Sequence, residues 1–302
     1  MSKIINYPHV AQMAFNKPLL ATAELANLVT SFLQARITKG NNEQQVAASS
    51  ASVIPLGAPE EGKGLMVVPV HGILVPRRFE MQACEELMSF ELLRTQINKG
   101  MNDDKMSEIV LDINSGGGTA QAAFECAAFI RECAQKKPIS AVVNYNACSG
   151  AYLVAAACSK IYVSDTSVSG SIGVYQKRLD LTAFYDAEGV NIHTFYRGAR
   201  KVDFHPDMEM SDDEKAEIEN GIEQTYQKFV SAVAQYRGMS EDAVRATEAN
   251  TFDGARAIEL GLADELMSPQ DAINSIATRI GSAEASKSHR IQAAHLAMCS
   301  QL

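Results

Sequence analysis

Several signatures that would settle a protein's class are missing from this chain. Its six cysteines, Cys84, Cys126, Cys133, Cys148, Cys158 and Cys299, include no CxxC pair, and its six histidines form no cluster at ligand spacing. That pattern excludes a zinc ribbon or a dithiol redox centre and leads us to expect reduced, mostly buried thiols, with no metal and no other cofactor. Basic residues are in the minority: 27 Lys and Arg stand against 36 Asp and Glu, for a net charge of −9 and a pI near 5.2. Nucleic acid is thereby excluded as the main partner, since phosphate contacts need clustered positive charge. The Gly116-Gly117-Gly118-Thr119 run lacks the GxGxxG and GxxxxGK spacings of nucleotide loops. Long apolar runs are absent too. The stretch Pro18–Ile37 is broken by Thr22, Glu24, Asn27, Thr30, Ser31, Gln34 and Arg36, well short of the ~18–20 apolar residues of a membrane span. The start, Met1 to His9, has neither the charged lead nor the apolar centre of a signal peptide. We therefore expect a soluble, cytoplasmic protein without a membrane partner.

What is present has an ordinary globular balance: 302 residues, 46% hydrophobic and 21% charged, enough for one large domain or two modest ones. Leu20, Ala23, Leu28, Phe32 and Leu33 fall near helical spacing, so residues 1–37 read as an N-terminal arm with a helix over Leu19–Ile37. Residues 38–63 are polar, aperiodic and linker-like, the main domain spans 64–281, and 282–302 form a polar tail. Within the main domain, Leu65–Val70, Ile109–Ile113 and Ile139–Val143 are continuous apolar runs of strand length. Between them, Cys84–Lys99 and Ala120–Ala134 carry helical spacing. Buried-type strands alternating with helices predict an α/β fold whose largely parallel sheet is covered by helices. Further helices are expected from Ser211 to Tyr236, after Ser240, and from Asp253 to Gly261, each opened by a capping residue.

Ser149 carries the chemical argument. In Cys148-Ser149-Gly150-Ala151-Tyr152, followed by a run of small apolar residues, one hydroxyl stands where a buried strand turns into a helix. A serine attacks only when a base removes its proton, and none of the six histidines sits in a recognisable triad pattern. Lys201, in Arg197-Gly198-Ala199-Arg200-Lys201, is the candidate base. A lysine acts as a base only when neutral, and bringing one from about 10.4 to neutrality costs about 4 kcal/mol, which burial and nearby positive charge supply. The Gly116-Gly117-Gly118 run follows one strand and precedes a helix, so its free backbone N–H groups, with Gly150 N–H as a second donor, are candidates to bind an oxyanion.

Five ordered blocks resemble the serine peptidases typified by signal peptide peptidase A, whose fold is similar to that of the ClpP and crotonase proteins. They are Asn114–Gly118, Cys148–Tyr152, Ser169–Val174, Gly198–Lys201, and Phe252–Gly254 with Gly261–Glu265. The resemblance implies a Ser149–Lys201 dyad, oxyanion donors at Gly117 and Gly150, and a lysine-orienting role for Ser171. It also implies a homo-oligomer. Within the family, the start from Tyr7 to Leu19 and the Arg200-Lys201-Val202-Asp203 run resemble the head-maturation proteases of lambda-like tailed phages. The implied substrates are capsid scaffold or portal proteins, met in the host cytoplasm or inside the procapsid. Two departures stand out: Gly116 where the family often has Pro, and Ala151 where it often has Gly. The alternatives are signal-peptide-peptidase-like protein degradation, a crotonase-type acyl-CoA-binding enzyme that would not need the Ser–Lys pair, and a non-catalytic assembly protein on the same fold.

Overall fold

The computed structural model describes residues 16–23, 25, 27, 64–77 and 87–282. The expected helix beyond residue 27, the 38–63 linker, Cys84, Cys299 and the tail after residue 282 lie outside the described residues. Two sheets organise the rest. The larger has the order β10 (Thr251–Asp253), β9 (Val168–Gly170), β7 (Ile139–Cys148), β5 (Glu108–Ser115), β2 (Leu65–His71). The edge of β7 is shared: its first half pairs with β8 (Lys160–Val163), which in turn pairs with β11 (Glu265–Leu266), and its second half with β9. All these pairs are parallel except β9 with β10. The smaller sheet runs β1 (Leu19–Ala21), β6 (Gly117–Thr119), β3 (Ile73–Val75), β4 (Leu87–Ser89).

The predicted α/β architecture is what the chain adopts, and the reason is visible in the central strands. In β5 and the first half of β7 nearly every residue is buried, as both-face coverage of a parallel strand requires. One face, with Val68, Val70, Leu111, Ile113, Ala141 and Val143, belongs to the main core together with α1 (Phe90–Met101), α2 (Ala123–Ala134) and α3 (Gly150–Ala156). The other face, with Leu65, Val110, Val142 and Tyr162, meets Ala272, Ile273, Ile276 and Ile280 of the helix over residues 269–282. Each Val, Leu or Ile among them, fully buried, contributes about 1.5–3 kcal/mol.

The expected helix starts also appear. Ser211 Oγ accepts the Glu214 N–H at 3.1 Å and opens α5 (Asp212–Arg237), with Asp212, Asp213 and Glu214 in its first turn; the short α4 (Thr182–Ala187) precedes it. Ser240 caps α6 (Glu241–Arg245) and Asp253 caps α7 (Gly254–Glu259) in the same way. Cys126, Cys133, Cys148 and Cys158 are free and buried. Among the described residues no helix is long and apolar enough to cross a membrane.

Three boundaries differ from expectation. Residues 87–89 form β4, so the first long helix begins at Phe90, and the next begins at Ala123 because Gly117–Thr119 is a strand. Leu19–Ala21, read as the start of a helical arm, is a buried β-strand. Helical spacing was a true signal only further on, where residues 23, 25 and 27 are helical. Over 19–21 it loses to the hydrogen-bonding edges that flank the segment on both sides.

Candidate active site

Strand β7 delivers Cys148 beside Gly170 of β9, and the chain then reverses into α3 within one residue. That residue is Ser149, with φ 54° and ψ −119°. A side chain held in so sparse a backbone region costs on the order of 1–3 kcal/mol and persists only where its surroundings over-determine it. Two bonds do so: Ser149 N–H donates to Gly170 O at 2.8 Å, and Ser149 O accepts from Leu153 N–H at 3.0 Å. Further along α3, Tyr152 Oη donates to Leu262 O at 2.9 Å. Leu262 is fixed in turn by its neighbour Asp264, whose carboxylate accepts Ile161 N–H at 2.7 Å and pairs with Arg237 at 2.6 Å. The Gly261–Glu265 block therefore clamps the helix that follows the serine.

Ser149 is fully buried and its Oγ has no hydrogen-bond partner among the described residues. An unsatisfied buried hydroxyl costs about 1–3 kcal/mol, and a strained strand-to-helix turn that presents one makes Ser149 the candidate nucleophile of this site. Cys148 does not compete for the role. Burial pushes its thiol up to about 12, which keeps it in the poorly nucleophilic neutral form.

The glycines expected at the oxyanion site do meet. Gly150 opens α3, so its N–H has no intrahelical acceptor. A Cβ on Gly117, whose φ is +98°, would lie 2.9 Å from Gly150 N and 2.1 Å from Leu20 O. A Cβ on Gly118 would lie 1.9 Å from Leu74 O. These backbones touch, and no side chain fits between them. Sequence reasoning missed Ser115, which takes part here: its Oγ accepts Gly117 N–H at 3.1 Å and donates to Gly72 O at 2.6 Å. Gly117 must exchange that partner to serve an oxyanion. The signal was the serine inside Asn114-Ser115-Gly116, one residue before the glycines that were singled out.

Ser171 follows Gly170 directly, so it stands next to the carbonyl that holds Ser149 N–H. Its backbone is left-handed at φ 53°, with its N–H donated to Asn250 O at 2.8 Å. Lys201 is placed otherwise. It lies in an exposed turn closed by its own N–H to Gly198 O at 3.0 Å. Its Nζ makes no hydrogen bond or ion pair among the described residues, and neither does Ser149 Oγ. The expected charge neighbours are also turned away: Arg200 pairs with Asp203 and Glu217, and Arg197 donates to Tyr196 O. Within one chain, then, Ser149, Gly150, Gly117 and Ser171 are gathered and Lys201 is not bonded to them.

Immediately beyond the lysine the chain is firmly held. Arg178 and Glu214, both buried side chains, pair at 2.8 Å. Glu214 also accepts Phe204 N–H at 3.0 Å, and Arg178 donates to Met208 O at 2.6 Å and His205 O at 3.1 Å. Sequence reasoning missed this pair as well. Among the described residues no group of three or more His, Cys, Asp or Glu could hold a metal ion.

With this geometry in place, the model of "Peptidase family S49" matches residues 131–282, half of the chain and the half that contains Ser149, Ser171 and Lys201. The chain belongs to peptidase family S49. Among its S49 relatives, "Head-tail preconnector protein GP5" of Enterobacteria phage P21 is 33% identical over 292 residues, covering 92% of this chain and 58% of that protein. "Capsid assembly protease C" of Escherichia phage lambda is 31% identical over 288 residues, covering 90% of this chain and 66% of that protein. "Putative signal peptide peptidase SppA" of Enterococcus faecium is 29% identical over 225 residues, with 72% and 64% coverage. The chain thus spans 58% to 66% of the length of these S49 relatives. Among solved structures, a ClpP1 mutant from Listeria monocytogenes aligns with a TM-score of 0.41 at 13% identity, over 67% of this chain and 92% of that one.

Proposed function

We propose that this S49 member is a serine endopeptidase that uses Ser149 as nucleophile and Lys201 as base, and that it processes capsid assembly proteins such as scaffold or portal. The observation that carries the reading is the fully buried Ser149 Oγ, without a hydrogen-bond partner among the described residues, on a strained strand-to-helix turn beside the Gly117–Gly150 contact. Substrate lies extended along the edge of β6, where main-chain bonds supply affinity and side-chain pockets supply selectivity. Ser149 Oγ attacks the scissile carbonyl carbon while its proton passes to a neutral Lys201 Nζ. The oxyanion accepts from Gly150 N–H and from Gly117 N–H, once the latter releases Ser115 Oγ. Collapse of the tetrahedral intermediate returns the proton from Lys201 to the leaving amine, and water then repeats the sequence on the acyl-enzyme.

The base requires dry surroundings, and association of copies of this chain would supply them. Residues 189–201 are exposed throughout, and Val190, Ile192, Phe195 and Tyr196 put large apolar surface on that one stretch, Phe195 at 92% exposure. Contiguous exposed apolar surface of this kind marks an association face. In our reading a neighbouring copy covers residues 189–201, desolvates Lys201 and brings it to a Ser149, so that the dyad is completed between protomers. The relatives' names, a lambda capsid assembly protease and a P21 head-tail preconnector protein, support the substrate class. Co-expression with a capsid scaffold or portal protein tests the assignment: wild type should cleave it and Ser149→Ala should not. Cleavage that persists in the variant would reject Ser149.

A further inference from the structure

The edge of β6 assigned above to substrate already has an occupant. Strand β1 pairs with it antiparallel, Leu19 opposite Thr119, Leu20 opposite Gly118 and Ala21 opposite Gly117. The ladder extends beyond the strand on both sides, with Thr22 N–H donating to Gly116 O at 2.9 Å and Ala120 N–H to Pro18 O at 3.2 Å. The opposite edge of the same segment is bonded as well. Leu19 N–H donates to Tyr175 O at 2.9 Å, Tyr175 N–H to Leu19 O at 3.3 Å, and Asn16 N–H to Lys177 O at 2.9 Å. Residues 16–22 therefore lie as a strand between two backbone walls, one from the glycine run, the other from the chain just after Ser171.

The segment also reaches the reacting groups. Leu20 is fully buried, with its Cβ 3.3 Å and its carbonyl oxygen 3.0 Å from where a Gly150 Cβ would stand. Its main chain passes directly over the α3 N-terminus that presents Ser149. Asn16 Nδ2 donates to Phe204 O at 3.1 Å, which ties the other end of the segment to the loop that follows Lys201. Backbone bonds along both edges, an aliphatic side chain in the closed centre, and a carbonyl beside the oxyanion donors together make up the way an extended peptide is read.

We propose that residues 16–22, Asn-Lys-Pro-Leu-Leu-Ala-Thr, are a built-in occupant of the peptide cleft: the chain holds itself latent, and substrate binds only when this strand leaves. The proposal rests on the Ser149 reading. It also names the preferred ligand chemistry, an extended polypeptide with an aliphatic residue at the Leu20 position and a small one after it. A cleft vacant one part in a hundred binds substrate about a hundredfold more weakly than an open one, so freeing it gives a large and measurable gain.

The test compares full-length wild type with full-length Leu20→Asp, whose carboxylate cannot stay in the buried position. Two readouts are taken on each: labelling of Ser149 by a fluorophosphonate, and kcat/KM on a fluorogenic peptide containing a Leu-Ala bond. A rise of about tenfold or more in both, with far-UV circular dichroism unchanged, supports the proposal. Equal or lower rates in a variant that keeps its fold overturn it. Hydrogen exchange of the Ser149→Ala chain covers the case in which Leu20→Asp fails to fold. Amides of Leu19, Leu20, Ala21 and Thr22 should exchange at least about 100-fold faster than those of Ile109–Ile113, and protection equal to that core strand overturns the proposal. Because exchange needs no catalysis, a failed Ser149 assignment is told apart: neither wild type nor Leu20→Asp would label, while the segment would still open.

Discussion

Around Ser149 every neighbour is within hydrogen-bond or van der Waals reach. The turn is held by Gly170 O, the following helix by Leu262 O, and the opposing glycines leave no room for one added carbon. From residue 189 to residue 201, by contrast, every residue is exposed, and Lys201 Nζ meets no partner among the described residues. One half of the proposed dyad is finished within a single chain and the other is not. A nucleophile profits from rigidity because misplacement by an ångström costs rate. In the proposed scheme this difference means that association would complete the dyad, whereas the turn that carries Ser149 is already shaped within one chain.

The largest expected effect tests the finished half. Ser149→Ala should lower peptide turnover by roughly 10³-fold or more with little change in melting temperature, as read in a fluorogenic assay beside calorimetry. Lys201→Ala should lose roughly 10²–10⁴-fold, and here the contrast becomes sharp. If the dyad forms between protomers, mixing inactive Ser149→Ala with inactive Lys201→Ala subunits should restore a fraction of wild-type turnover. No recovery in proven hetero-oligomers breaks the comparison.

Next in size is Arg178→Ala, which strands the buried Glu214 carboxylate and should cost about 3–5 kcal/mol in urea unfolding. It should also loosen residues 204–208 beside the lysine, readable as faster amide exchange at Phe204. Gly118→Ala should cost about 3 kcal/mol, since its methyl group meets Leu74 O and the strand must shift. The smallest effect is Ser211→Ala, which removes the α5 cap and should cost about 1 kcal/mol with turnover nearly unchanged.

Much of this was legible in the sequence where local signals and tertiary demands agree. The apolar runs at Leu65, Ile109 and Ile139 became the core of the parallel sheet, and Ser211 with its acidic successors opened the long helix. Of the candidate site, the strand-to-helix turn at Ser149 and Gly150 was legible, because a lone hydroxyl between an apolar strand and a run of small residues leaves a mark on the sequence. Long-range contacts left no such mark. Leu19–Ala21 has the spacing of a helix and becomes a strand because two distant backbone edges accept it. The Arg178–Glu214 pair joins residues 36 positions apart, and neither residue looks unusual beside its neighbours. The exposure of Lys201 was unreadable for a related reason: what surrounds a loop is decided by parts of the chain far from it in sequence.

The crowding at Gly118 bears on anyone who would retune this S49 member toward a new peptide. With Leu74 O only 1.9 Å from the missing Cβ, that wall of the groove is closed to mutagenesis, and a randomised library over 117 and 118 would consist mostly of misfolded clones. The opposite wall, from Val174 to Lys177, keeps ordinary side chains that are partly exposed. Diversity belongs there, where new contacts to a peptide can be introduced without disturbing the scaffold that aims the hydroxyl.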